Sequence, residues 1–63
     1  MPFLLVKVMQ GRSPEKIEAL IAALTETTAR TLDAPVETIR VLVEEVPNTH
    51  WGIGGKSAKA LGR

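Results

Sequence analysis

The sequence predicts a small α+β protein of order strand, helix, strand, with a glycine-rich ribbon after the second strand. Three observations carry that prediction. Residues Phe3 to Met9 form an apolar run of strand length broken only by Lys7, a proline-capped stretch of helical periodicity follows, and Ile39 to Val46 is a second run rich in Val and Leu. The connection has the length of a β-α-β unit. A helical crossover of that kind implies parallel strands joined with right-handed connectivity.

The first strand is built on Leu4, Leu5, Val6 and Val8 and is closed by Gly11, so it reads as a largely buried element. Ser13 then supplies an N-cap hydroxyl. Pro14 occupies the first helical position, where a missing N–H costs nothing, and Glu15 suits the positive end of the helix dipole. Ile17, Leu20, Ile21, Leu24, Thr28, Thr31 and Leu32 recur at three-and-four spacing and define one face, from which Glu18, Glu26 and Arg30 are absent. The helix is expected to end near Leu32, because Asp33-Ala34-Pro35 makes a turn and the residue before a proline is driven out of helical geometry. Pro47-Asn48 breaks the second strand. Beyond it, Thr49 to Gly55 carries three glycines around Trp51 and Ile53, which predicts a tight ribbon whose two large side chains pack on another subunit.

With 63 residues, the chain is read as one domain over residues 1–63. Burying roughly 3,500 Å² of apolar surface at about 25 cal/mol/Å² contributes about 90 kcal/mol, and ordering the residues at about 1.5 kcal/mol each costs about 95 kcal/mol. The two cancel. There are no cysteines for disulfides, while 44% of the residues are hydrophobic, so self-association is the expected source of stability. Two parallel strands also leave open edges, and dimerisation would extend the sheet to four strands.

Charge and composition exclude several functions. Eight Lys and Arg against seven Asp and Glu give a net charge of +1 with the basic residues scattered, which argues against nucleic acid as a partner. Phe3 and Trp51 are the only aromatics, too few for a base-stacking platform. The longest apolar run, Phe3 to Val6, is far short of a membrane span, and no secretion signal is evident, so the expected location is cytoplasmic. His50 is the sole histidine, so neither a metal centre nor a Ser-His-Asp or Cys-His site is expected from this chain.

Among candidate chemical groups, Gly52-Ile53-Gly54-Gly55-Lys56-Ser57 ends like a phosphate-binding loop but fails its spacing, since His50 stands where the first glycine belongs. A structural turn is the better reading. Glu44 and Glu45 are adjacent on a strand and point to opposite faces, so they read as charges protecting an edge. Pro2 differs, because a small second residue permits removal of Met1 and leaves a free secondary amine. Free α-amino groups titrate near 7.7–8.0, and desolvation or nearby cations disfavour the ammonium form, so this nitrogen is a candidate general base near neutral pH. Arg12 lies past the first strand and Arg40 opens the second, at opposite ends of parallel strands. Converging from different subunits, their guanidinium forks would suit an oxo-acid or dicarboxylate.

Pro2 in second position, Gly11-Arg12-Ser13, Leu32-Asp33-Ala34-Pro35, Arg40-Val41 and His50-Trp51-Gly52-Ile53-Gly54-Gly55 together resemble the 4-oxalocrotonate tautomerases of the amino-terminal-proline superfamily, over nearly the whole chain. The resemblance implies a β-α-β protomer that assembles through dimers into a hexamer, a trimer of dimers, and a cofactor-independent isomerase acting on 2-hydroxymuconate-like dienoates in aromatic hydrocarbon catabolism. It assigns Pro2 as the base that shuttles one proton, Arg40 of a neighbouring subunit as the group binding the C1 carboxylate and 2-oxygen, and Arg12 as the holder of the distal carboxylate. Trp51 would wall the pocket, with Met9 and Ile53 as apolar lining. The well-studied members carry phenylalanine where this chain has Trp51, which bears on pocket size. Related 3-chloroacrylate dehalogenases place an acidic residue at the position of Ile53 and tend to place an arginine at that of Met9, so a hydratase or dehalogenase role is the weaker alternative. A structural or weakly active subunit of a heterohexamer is another.

Overall fold

The computed structural model describes residues 1–63. Strand β1 covers Phe3–Met9, helix α1 Pro14–Leu32 and strand β2 Arg40–Val46, with a short 3-10 turn at Val36–Thr38 between α1 and β2. After β2 come a second 3-10 turn at Asn48–His50 and a small ribbon of β3, Gly52–Ile53, and β4, Lys56–Ser57. β1 and β2 pair in parallel, with Phe3 opposite Arg40 and Met9 opposite Val46, and β3 pairs antiparallel with β4. The expected second strand is one residue shorter at its start, because Ile39 closes the preceding 3-10 turn by donating its N–H to the Val36 carbonyl.

Both ends of α1 follow local chemistry. The Ser13 hydroxyl accepts the Lys16 N–H at 3.3 Å, a contact of a kind worth about 1 kcal/mol. At the other end Asp33 takes φ 54°, ψ 41°, and its N–H returns to the Ala29 carbonyl. The face that α1 turns to the sheet carries Ile17, Leu20, Ile21, Leu24, Thr25, Thr28 and Ala29, all half-buried. Thr31 and Leu32, expected on that face, are exposed, Leu32 at 60%, because the helix outruns the sheet. In the ribbon, Gly54 and Gly55 take φ 59° and 88°, the positive pair that a tight two-residue hairpin turn requires and that a side chain would strain. The glycine cluster is thus a turn.

The protomer does not close on itself. Its radius of gyration is 14.6 Å and its accessible surface 4740 Å², against about 10.6 Å and about 4,000 Å² for a compact globule of this size. Only Ile39 and Ala58 are buried. β1, expected to be largely buried, alternates instead: Leu4, Val6 and Val8 lie under α1, whereas Phe3 and Leu5 are 64% and 50% exposed. Leu42 continues the same uncovered face on β2 at 49% exposure. The isolated chain therefore falls short of the burial that would offset its ordering entropy, and the uncovered face of the sheet is where the deficit sits. Leu42→Glu should place a charge in that face and abolish both assembly and folding. Sedimentation and circular dichroism measure this, and a folded monomer or an unchanged oligomer would contradict it.

Candidate active site

Pro2 immediately precedes β1 and is half-buried. The Arg40 N–H donates to its carbonyl at 3.0 Å, which fastens the start of β1 to the start of β2. Pro2 lines an open cleft of about 440 Å³ together with Phe3, Leu4, Thr28, Thr31 and Leu32. Met1 is 86% exposed and no hydrogen bond holds it. Strand β1 loses nothing when that residue is removed.

The Arg40 guanidinium is draped over the 3-10 turn before β2, where its Nη1 donates to the Glu37 carbonyl at 2.7 Å and to the Ile39 carbonyl at 3.3 Å. That turn is itself locked by Thr38 Oγ1 donating to the Pro35 carbonyl at 2.7 Å. Arg12 is arranged similarly at the far end of the sheet. Gly11 takes φ 126° to reverse the chain after β1, and Arg12 Nη1 then donates to the Met9 carbonyl at 3.2 Å. In both arginines Nη1 rests on main-chain oxygen while Nε and Nη2 make no internal hydrogen bond, so each retains an edge for an incoming carboxylate. Arg12 borders a second open cleft of about 470 Å³ with Pro14, Ile17, Glu18, Ile21 and Glu45.

Met9 pairs with Val46 at the carboxyl end of the sheet and is half-buried. Trp51 follows the second 3-10 turn in extended geometry, half-buried, and Ile53 in β3 is 37% exposed. His50 is exposed, with its Nδ1 2.7 Å from Thr49 Oγ1.

Two groups of the sequence-predicted residues thus form, and one protomer keeps them apart. Pro2 and Arg40 stand at the amino end of the sheet, Met9 and Arg12 at the carboxyl end, and Trp51 and Ile53 on the chain that leaves the carboxyl end of β2. A seven-residue strand at about 3.3 Å per residue separates the ends by roughly 20 Å. No single cleft contains both Pro2 and Arg12. Thr28 and Thr31 line the cleft beside Pro2, and neither is among the site residues expected from the sequence. Their signal was hydroxyls recurring at helical spacing on a face otherwise made of Leu and Ile, near the end of α1 that reaches past β1.

Comparison with known proteins adds a second line. The family model described as "Tautomerase enzyme" matches residues 2–61. The 2-hydroxymuconate tautomerase of Stutzerimonas stutzeri is 48% identical over 63 residues, all of both chains. Among solved structures, a 4-oxalocrotonate tautomerase isozyme of Methylibium petroleiphilum superposes with a TM-score of 0.94 at 44% identity, covering 98% of this chain and 100% of that one. A heterohexamer 4-oxalocrotonate tautomerase from Chloroflexus aurantiacus superposes at 0.92 with 38% identity, over 97% and 98% of the two chains.

Proposed function

The chain belongs to the tautomerase family and is an isomerase, and we propose that it interconverts 2-hydroxymuconate-like dienoates and their 2-oxo isomers with the Pro2 nitrogen as general base. Met1 is removed in this reading, which turns an amide nitrogen into a secondary amine with a lone pair. The amine accepts the proton of the 2-hydroxyl, the electrons shift along the diene as the 2-oxygen becomes a carbonyl, and the same nitrogen returns the proton to the distal diene carbon. Atoms balance without a cofactor, and one group performs both transfers.

The observation that carries this reading is the separation of the two halves of the site. Any two-fold pairing of edge strands is antiparallel, because the axis reverses strand direction, so it brings the carboxyl end of one sheet beside the amino end of the other. Pairing of this chain with a second copy accordingly sets Arg12, Met9, Trp51 and Ile53 of one protomer toward Pro2 of another. The apolar face exposed by Phe3, Leu5 and Leu42 then suits burial between such dimers, and a hexamer built as a trimer of dimers supplies it. In that assembly Arg40 of a neighbouring subunit grips the C1 carboxylate and the 2-oxygen and stabilises charge developing on that oxygen. Arg12 holds the distal carboxylate. Trp51 walls the pocket, with Met9 and Ile53 beside it, and keeps the amine poorly hydrated and therefore neutral.

Ultraviolet absorbance of 2-hydroxymuconate, followed with the chain purified alone, tests the reading. An active homo-oligomer is expected, whereas an inactive or unfolded product would assign the chain to a mixed hexamer instead. Arg12→Ala should lower kcat/KM about tenfold to a hundredfold for the dicarboxylate and only a few-fold for a 2-hydroxydienoate lacking the distal carboxylate. An unchanged preference between the two substrates would remove Arg12 from its assigned role.

A further inference from the structure

Trp51 stands on a loop that the chain after β4 grips from two sides. The Ala58 N–H donates to the Trp51 carbonyl at 2.7 Å and the Lys59 N–H to the Asn48 carbonyl at 3.1 Å. The side chain of Asn48 answers in the opposite direction, its Nδ2 donating to the main-chain oxygen of Arg63 at 3.0 Å. Between these contacts the chain coils on itself: the Leu61 N–H reaches the Ser57 carbonyl at 3.2 Å, the Gly62 N–H the Lys59 carbonyl at 3.0 Å and the Arg63 N–H the Ala58 carbonyl at 2.8 Å. Ala58, at 0% exposure, sits at the centre of this clamp in a protomer that otherwise buries only Ile39. Asn48 joins the two ends of it, since its main chain and its side chain bind different turns of the coil.

We infer that Asn48 is a positioning residue, which holds Trp51 in place by fastening residues 57–63 over the loop 48–51. The consequence for catalysis rests on Trp51 being the pocket wall proposed above; the mechanical link from Asn48 to Trp51 does not. Three hydrogen bonds tie the loop that carries the ring to residues 58–63, one at the Trp51 carbonyl, one at the Asn48 carbonyl and one from the Asn48 side chain, and β3 begins at the next residue with Gly52 opposite Ser57. The main chain that carries the indole is therefore held by contacts made after it in the chain. Losing the Asn48 side-chain donor leaves the coil tied to the loop only through Ala58 and Lys59, which loosens its grip on the Trp51 backbone.

Trp51 is the only tryptophan and there is no tyrosine, so near-ultraviolet fluorescence reports this ring alone. Asn48→Asp keeps the size of the side chain, removes its N–H donors and sets a carboxylate against the Arg63 oxygen, and Asn48→Gln keeps a donor on a longer arm. With sedimentation unchanged, Asn48→Asp should raise the acrylamide quenching constant of Trp51 about two- to threefold and lower kcat/KM about three- to tenfold, as expected for one lost hydrogen bond. Asn48→Gln should fall between that variant and the parent. Quenching in Asn48→Asp equal to that of the parent overturns the inference. Faster quenching with unchanged kinetics upholds the clamp and removes Trp51 from the pocket wall, so the two readings fail separately.

Discussion

Pro2→Ala should lower kcat/KM on 2-hydroxymuconate by about 10²- to 10⁴-fold, the range that a positioned general base contributes, while sedimentation and circular dichroism stay as in the parent. The fold survives this change because the protein uses Pro2 structurally through its carbonyl, which accepts the Arg40 N–H at 3.0 Å and which alanine retains. What alanine changes is the nitrogen: a primary amine with a freely turning first residue replaces a ring amine whose φ is fixed. Intact mass belongs with this measurement. The active parent should lack Met1, whose 86% exposure and absence of hydrogen bonds make its loss inconsequential to β1. Full activity in Pro2→Ala, or in material still carrying Met1, would end the assignment of this nitrogen as the base.

Arg40→Ala is expected to be the next most damaging change, with kcat down about 10²- to 10³-fold and KM raised as well, since one guanidinium both binds the C1 carboxylate and stabilises charge on the 2-oxygen. The main-chain N–H of residue 40 stays bonded to Pro2, so the pairing of β1 with β2 is untouched. Arg40→Lys separates charge from geometry: it keeps the cation but lacks the planar fork, and recovery of only a small part of the lost rate is expected. A rise in KM with kcat unaltered would restrict Arg40 to binding. Unaltered values of both would place the carboxylate elsewhere.

Much of the fold was legible because its signals are local. β1 falls on the predicted residues, and α1 begins after Ser13 and ends at Leu32, where the cap hydroxyl, Pro14 and Asp33-Ala34-Pro35 act over a few bonds. The glycine cluster could be rejected as a phosphate site on spacing, and Gly54 and Gly55 form the hairpin turn. The candidate site was legible as a set of residues, not as a place. Arg12 and Arg40 could be assigned to opposite ends of parallel strands, but Thr28 and Thr31 beside Pro2 depend on how far α1 overruns β1. The tie from Asn48 to Arg63 joins residues 15 positions apart with no periodicity between them. The expectation of a largely buried β1 went astray for a related reason: apolar character on both faces was visible, but the chain brings only one helix to cover them.

By itself, the sequence determined the order of elements, the helix boundaries, the turn chemistry and the short inventory of groups able to move a proton or bind carboxylates. Each of these depends on neighbours within about one helical turn or on alternation along a strand. Tertiary structure decided the register that sets Phe3 opposite Arg40, the bare sheet face of Phe3, Leu5 and Leu42, and the clamp behind Trp51. Those features require hydrogen bonds and packing between segments far apart in the chain, whose closure a pattern of neighbouring residues does not encode.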